Sequence, residues 1–395
     1  MLPKFGKTDK INSYYLGHVN TSFMYSWLEI SKDALVHNIN QYKKIIHNNK
    51  LALIIKGNAY GHGQLPIAQI ADQNKEVDWL CVSHLSDAIL LRQNKIKKQI
   101  LVLSCIDIDP AMAAHQEIAI VVGSYATVER LNAIGKQHNC FFKVHIKVDT
   151  GLSRLGIAVE DIHAFINYVL TLPHIIVDGI LSHFAQSQHE DQSFTQKQLV
   201  QFNIILKKFT ETNIFIPNRH ISNSAATTIE QPLCNFFRLG IGMYGYWSSE
   251  VSRLKALKKY SGMVLKPILT WKTRISEIKN IPTGVSVGYN CTYQTTRPIT
   301  MAILPIGYYD GYQLRFSNRA WVRIKDNYAP VIGRVCMNMT LVDISDIPTV
   351  NVGDEVVLLG DFVKINANTL AAYAHLDNVR EVLIAINSHL PRLII

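Results

Sequence analysis

From Leu51 to Ile241 the chain repeats one rhythm, a short apolar run followed by a segment of helical character. The runs are Leu51–Ile55, Trp79–Val82, Ile100–Leu103, Ile118–Val122, Phe141–Val148, Ile176–Ser182, His220–Ser222 and Phe236–Ile241, eight in all. Between them lie segments with helical spacing, including Leu65–Asp72, Leu85–Asn94, Val128–Gln137, Val159–Leu170 and Gln198–Thr210. An opening helix over Ser31–Ile46 has a serine cap and places Leu35, Ile39, Tyr42 and Ile46 on one face. Strands separated by helices are joined by parallel crossovers. Eight such units close an α/β structure of the TIM type, a (β/α)8 barrel. The alternative is an open doubly wound sheet, but no G-x-G-x-x-G follows the first run. The seventh run is the least strand-like, being short and polar.

Beyond residue 260 the rhythm changes. Trp271–Lys279 alternates apolar and polar residues, and Met301–Ile306, Trp321–Ile324, Val335–Val342 and Glu355–Leu359 are strand-like and closely spaced. Turn residues at Gly307, Asp310-Gly311 and Asp326-Asn327 separate some of them, which predicts a mainly antiparallel β domain. Ala367–Ala374 is the last helix-like stretch. The barrel is thus expected over residues 27–259 and the β domain over residues 260–395, with residues 1–26 an N-terminal extension open to disorder. A length of 395 residues suits two domains, and 48% apolar against 18% charged residues suits packed cores. No apolar run approaches the ~18 residues of a membrane helix, and residues 1–22 lack the apolar core of a signal peptide. Six cysteines (81, 105, 140, 234, 291 and 336) form no C-x-x-C pair, which predicts a reducing, cytoplasmic setting and no metal site. The formal charge of +10 is dispersed, so a solvated basic surface is expected rather than a nucleic-acid or membrane partner.

The chemistry gathers where barrel strands end. The first strand runs into Lys56-Gly57-Asn58-Ala59-Tyr60-Gly61-His62-Gly63. A rim lysine that merely snorkels is the plain interpretation. Yet nearby glycines let backbone N–H groups approach a ligand, and a partly desolvated lysine serves as Schiff-base former or general base. The fifth strand runs into Lys147-Val148-Asp149-Thr150-Gly151-Leu152-Ser153-Arg154. The sixth ends at His183, the seventh at Asn223-Ser224, and the eighth at Arg238-Leu239-Gly240-Ile241. Each alone is an ordinary strand-to-helix turn. Together, at the carboxyl end where barrel active sites lie, they suit an anionic cofactor such as a phosphate ester and a carboxylate substrate.

The string K-G-N-A-Y-G-H-G resembles the cofactor-lysine motif of alanine racemases, fold-type III pyridoxal-phosphate enzymes built from a barrel and a β domain. The resemblance runs from Trp27 to Arg392, with K-V-D-T-G-L-S-R-L-G, S-H-F-A, N-S-A-A, R-L-G-I-G-M-Y-G, V-G-Y-N, G-Y-Y-D-G-Y and G-R-V-C-M-N-M in family order. It implies a pyridoxal 5'-phosphate enzyme that interconverts L- and D-alanine by two bases and supplies D-alanine for peptidoglycan. Lys56 would carry the cofactor, while Tyr60, Asn223, Ser224, Gly240, Ile241 and Arg380 would bind it, mostly at the phosphate. His183 would lie against the pyridine ring, and Arg238 would donate to its nitrogen, since an arginine with a pKa above ~12 keeps its proton. Lys56 would serve one face of Cα and Tyr289, from the partner subunit of a homodimer with shared sites, the other. His183 and Arg238 are expected to give Tyr289 a cationic field. Arg154 and the Met337 backbone would bind the substrate carboxylate, Tyr308 would narrow the entry, and Lys147 matches a lysine carbamylated in many members. This chain departs from the family at Asn290, usually glycine, at Asn338, usually aspartate, and at Arg380, usually tyrosine. A broad-specificity amino-acid racemase is therefore the alternative. A pyridoxal-phosphate amino-acid decarboxylase of the same fold fits less well, because its histidine motif continues into Gly-Ser where Phe184-Ala185 stand here.

Overall fold

The computed structural model describes residues 24–395, so the extension read over residues 1–26 lies, up to residue 23, outside the described residues. The chain divides into two compact units. Among the described residues, one comprises Leu35–Gly57 and Ile67–Lys266; the other comprises residues 24–34, Asn58–Pro66 and Pro267–Ile395. The described chain opens with β1 (Ser26–Ile30) and α1 (Lys32–Ile46).

The first unit is a parallel barrel. Its strands are β2 (Lys50–Ile54), β3 (Trp79–His84), β4 (Gln99–Cys105), β5 (Ile118–Val122) and β6 (Phe142–Asp149), with a short β7 (Ile157–Ala158) on the end of β6. It continues with β8 (Ile175–Leu181), β9 (Asn218–His220) and β10 (Phe236–Leu239). The pairing order β10-β2-β3-β4-β5-β6-β8-β9 leaves one seam, between β9 and β10. There Asn235 N donates to Arg219 O (3.1 Å) and Arg219 N to Asn235 Oδ1 (2.9 Å), so the barrel is nearly closed. Helices cover the outside, which buries both faces of the strands and explains why they read as unbroken apolar runs. These helices include α3 (Gln64–Gln73), α4 (Leu85–Gln93), α5 (Ala111–His115), α6 (Tyr125–His138), α7 (Ile162–Leu170), α8 (Ser193–Glu211) and α9 (Glu250–Lys259), after the short turn α2 (Lys56–Tyr60). Inside, Trp79, His145, His220 and Phe236 form an aromatic layer with ring centroids 4.4–5.6 Å apart.

The seventh barrel strand is displaced from the expected His220–Ser222 to residues 218–220. It is held by side chains instead of an apolar pattern: Asn218 Nδ2 donates to Asp178 O (2.8 Å) and accepts Lys50 Nζ at its Oδ1 (2.6 Å).

The second unit is mainly antiparallel. A six-stranded sheet of order β17-β16-β19-β11-β1-β20 contains β11 (Leu269–Arg274), β16 (Trp321–Ile324), β17 (Asn327–Pro330), β19 (Glu355–Leu359) and β20 (Arg392–Ile394). A three-stranded sheet joins β12 (Glu277–Ile281), β15 (Ile299–Leu304) and β18 (Thr340–Asp343), and β13 (Ser286–Val287) pairs with β14 (Tyr293–Gln294). Two helices, α10 (Ala367–Tyr373) and α11 (Val379–Ile384), follow β19. Residues 27–30, expected in the barrel domain, instead belong to β1 of this sheet, with Leu28 opposite Trp271. The single strand expected over Trp271–Lys279 is two, because at Ile275-Ser276 the chain leaves one sheet for the next. The strand expected from Val335 starts only at Thr340. Among the described residues no helix is long and apolar enough to cross a membrane.

Candidate active site

In the barrel unit every predicted residue lies at or just beyond the carboxyl end of its strand, and parallel strands put those ends on one rim. Lys56 follows β2 and opens α2, whose backbone is left-handed: φ is 59° at Gly57, 51° at Asn58, 53° at Ala59 and 54° at Tyr60. Such a turn costs about 1–2 kcal/mol for each residue carrying a Cβ. It is held by a local lattice. Gly63 N donates to Asn58 O (2.9 Å), Gln64 N to Asn58 Oδ1 (2.9 Å), and the buried Arg392 donates through Nη2 to Gly61 O (2.9 Å). Gly61, at φ 85°, packs so closely on α11 that a Cβ would strike the Leu383 carbonyl. The glycines of the motif therefore shape the backbone that presents Lys56.

Arg154 is carried on the loop after β6. Asp149 Oδ1 accepts the N–H groups of Gly151 (2.9 Å), Leu152 (2.9 Å) and Ser153 (3.1 Å), which folds that loop back over the strand end. Lys147 is buried beneath it, and burial, reinforced by Arg238 and Arg154, lowers its pKa to about 7. Arg238 is buried in β10; burial brings its pKa down to about 10, so it remains a cation at neutral pH. It donates through Nη1 to His220 Nδ1 (2.6 Å) and through Nη2 to Ser182 O (2.9 Å) and His183 Nδ1 (3.0 Å). Burial, then Arg238, Lys147, Arg154 and Lys56, hold His183 well below its ordinary pKa. Two consequences follow. These four basic side chains act on one imidazole, and His183 is neutral at pH 7. The expectation that His183 adds positive field is corrected: its cationic neighbours and burial keep the proton off.

Asn223 caps the 3-10 turn Ser224–Thr228, its side chain accepting from Ala226 N (3.1 Å). Ser224 Oγ accepts from Gly240 N (2.9 Å) and Gly242 N (3.2 Å). Here two backbone donors and a hydroxyl converge on a basic barrel rim, a donor set that fits a phosphate ester. Gly242 was not singled out from the sequence, although the second glycine of R-L-G-I-G signalled a close approach: a Cβ there would strike the Tyr42 hydroxyl.

The remaining predicted residues lie in the second unit. Burial raises the Tyr60 pKa and Arg380 pulls it back, so this phenol and guanidinium interact. Arg380 sits in the first turn of α11, whose cap Asn378 accepts Arg380 N (3.0 Å). Tyr308 N donates to Cys336 O (3.0 Å) and Tyr309 N to Met337 O (3.0 Å), which ties the Tyr308-Tyr309 turn to Cys336-Met337. Gly307 permits this, since a Cβ would strike the carbonyls of Cys336 and Met337. Tyr289 is 68% exposed and Met337 54%. Asn290 has φ 61°, and asparagine is the residue after glycine that best tolerates the left-handed region, so this departure keeps the backbone intact.

Two family models match, described as alanine racemase, N-terminal domain (residues 30–248) and alanine racemase, C-terminal domain (residues 268–394). The chain is 36% identical to the alanine racemase of Clostridium kluyveri over 93% of its length and 94% of the relative's. It is 35% identical to that of Halothermothrix orenii, covering 93% and 96%. Among solved structures it is similar to alanine racemase of Clostridium difficile 630, with a TM-score of 0.86, 31% identity and coverage of 93% and 95%. Two units, a cationic barrel rim and matches over nearly the whole length converge on one result: the chain belongs to the alanine racemase family.

Proposed function

We propose that Lys56 and Tyr289 are the two acid–base groups with which this enzyme interconverts L- and D-alanine. The activity follows from the family: a pyridoxal-phosphate-dependent isomerase whose D-alanine enters peptidoglycan. The decarboxylase alternative gives way to the match of both racemase models. Bound pyridoxal phosphate supplies an electron-withdrawing ring that acidifies the Cα–H of the amino acid. Lys56 would be the attachment point; Ser224 with the Gly240, Ile241 and Gly242 backbone, Asn223, Tyr60 and Arg380 would hold the phosphate. Neutral His183 would pack against the pyridine ring, and Arg238, which keeps its proton at neutral pH, would donate to the ring nitrogen rather than protonate it, a pairing that suits return of the proton to Cα over side reactions. Arg154 and the Met337 backbone orient the substrate carboxylate, and Tyr308 narrows the entry. Lys56 Nζ removes the proton on one face while Tyr289 Oη returns one on the other, and the reverse reaction exchanges their roles.

The observation that carries this reading is the gathering of Lys56, Lys147, Arg154 and Arg238 around His183 at the carboxyl ends of the barrel strands. We also place a second copy of the chain over the exposed Tyr289, Tyr308, Tyr309, Met337 and Met339 to form a homodimer with shared sites. Six free cysteines support a cytoplasmic setting. Borohydride reduction of the holoenzyme followed by peptide mapping is expected to place the pyridoxyl group on Lys56; recovery on another lysine would remove Lys56 from the role.

A further inference from the structure

Behind Arg238 the interior of the barrel holds a run of polar groups, His220, His145 and Asp178, that no part of the reaction described so far uses. Arg238 Nη1 lies 2.6 Å from His220 Nδ1, His220 Nε2 lies 2.8 Å from His145 Nδ1, and His145 Nε2 lies 3.2 Å from Asp178 Oδ2. His145 and His220 are fully buried, and Trp79 and Phe236 pack against both the run and each other. Donor chemistry gives this run a direction. A guanidinium only donates, so His220 Nδ1 must present a lone pair and its proton must sit on Nε2. That N–H donates to His145, whose Nδ1 therefore accepts and whose Nε2 carries the proton toward the Asp178 carboxylate. A protonated His220 would set two N–H groups face to face across 2.6 Å, so the geometry keeps it neutral. Burial, with Arg238 second for His220, lowers the pKa of both imidazoles and agrees. Asp178 is fixed in turn by Asn218 Nδ2 (3.1 Å), and Lys50 Nζ holds the Asn218 amide in its orientation (2.6 Å).

We propose that His220, His145 and Asp178 are positioning residues, a one-way hydrogen-bond relay that aims the Arg238 guanidinium and ties its charge to a carboxylate across the barrel. This inference rests on the proposed role of Arg238 at the cofactor ring. Its consequence is that an aspartate in the middle of β8, two histidines away from Arg238, governs how firmly that cationic donor is held at the ring. Replacing Asp178 by asparagine keeps the shape but offers an N–H where only an acceptor stood. The relay is then free to reverse, which puts a His220 N–H against Arg238 and displaces it.

The test has two arms on the full-length holoenzyme. Neutron diffraction from deuterium-exchanged crystals is expected to show deuterons on Nε2 and none on Nδ1 of both His145 and His220. A deuteron on His220 Nδ1 would overturn the relay whatever Arg238 does. In solution, Asp178→Asn is expected to weaken pyridoxal-phosphate affinity, measured by equilibrium dialysis, by about tenfold and to lower kcat similarly with KM for alanine nearly unchanged. Affinity and kcat at the level of the parent enzyme would overturn the proposal. If Asp178→Asn does not fold, the neutron result alone decides. Arg238→Ala separates the two ideas: full affinity and rate in that variant would sink the role of Arg238, and with it the purpose of the relay, even where the deuterons lie as expected.

Discussion

Lys147 shows how one residue's chemistry is set by its surroundings. Its amine is buried beside Arg238 and Arg154, and a pKa of about 7 leaves a substantial neutral fraction at physiological pH. Only the neutral amine has the lone pair that attacks carbon dioxide, and the carbamate formed would replace a buried cation by an anion facing Arg154. Labelled bicarbonate is therefore expected to give a carbamate carbon signal at about pH 8 that is lost at about pH 6, below the Lys147 pKa, and absent in Lys147→Ala. No adduct at the higher pH would exclude it. For Tyr289, removing the hydroxyl should cost about 10²–10⁴ in rate while leaving the cofactor spectrum intact, because a positioned general base is worth that much. A Tyr289→Phe enzyme running near the parent rate in both directions would take Tyr289 out of the reaction. Some residues were legible from donor type alone: Lys56 and Arg238 are cations at strand ends, where a soluble-core role is costly. His183 was legible in place but not in charge, since the sequence does not reveal how many cations surround it.

At the scale of elements, Gly61, just after the left-handed turn α2, packs on helix α11 of the same unit. Gly61→Ala is expected to destabilise the protein by several kcal/mol, since its Cβ meets the Leu383 carbonyl, while Gly57→Ala meets nothing within 4 Å and costs only the left-handed penalty of about 1–2 kcal/mol. Equal melting temperatures in the two variants would contradict this. The barrel strands were legible because both faces are buried and the runs are unbroken. β9 was misplaced by two residues because Asn218, Asp178 and Lys50 hold it through side-chain hydrogen bonds that leave no pattern. β1 went unseen because its partner β11 lies far along the chain, at Leu28 opposite Trp271. The segment from Val335 to Met339 looked like a strand because its apolar residues alternate, yet Met337 and Met339 face outward. Apolar patterning records burial, and it cannot tell burial in a core from cover by another molecule.

At the scale of the whole molecule, the formal charge of +10 is less informative than where the cations are placed. Four basic side chains, Lys147 with its lowered pKa among them, act on His183 at the barrel rim. Tyr289 lies on the other unit, on an exposed turn. The central claim is that Lys56 of one subunit works with Tyr289 of the other. Mixing inactive Lys56→Ala with inactive Tyr289→Phe tests it most directly. Each heterodimer would then hold one intact site and one doubly broken site, and with random exchange up to about a quarter of the parent activity should return. Heterodimers demonstrated by mass but devoid of activity would show that each chain completes its own site, and the shared-site account would be wrong.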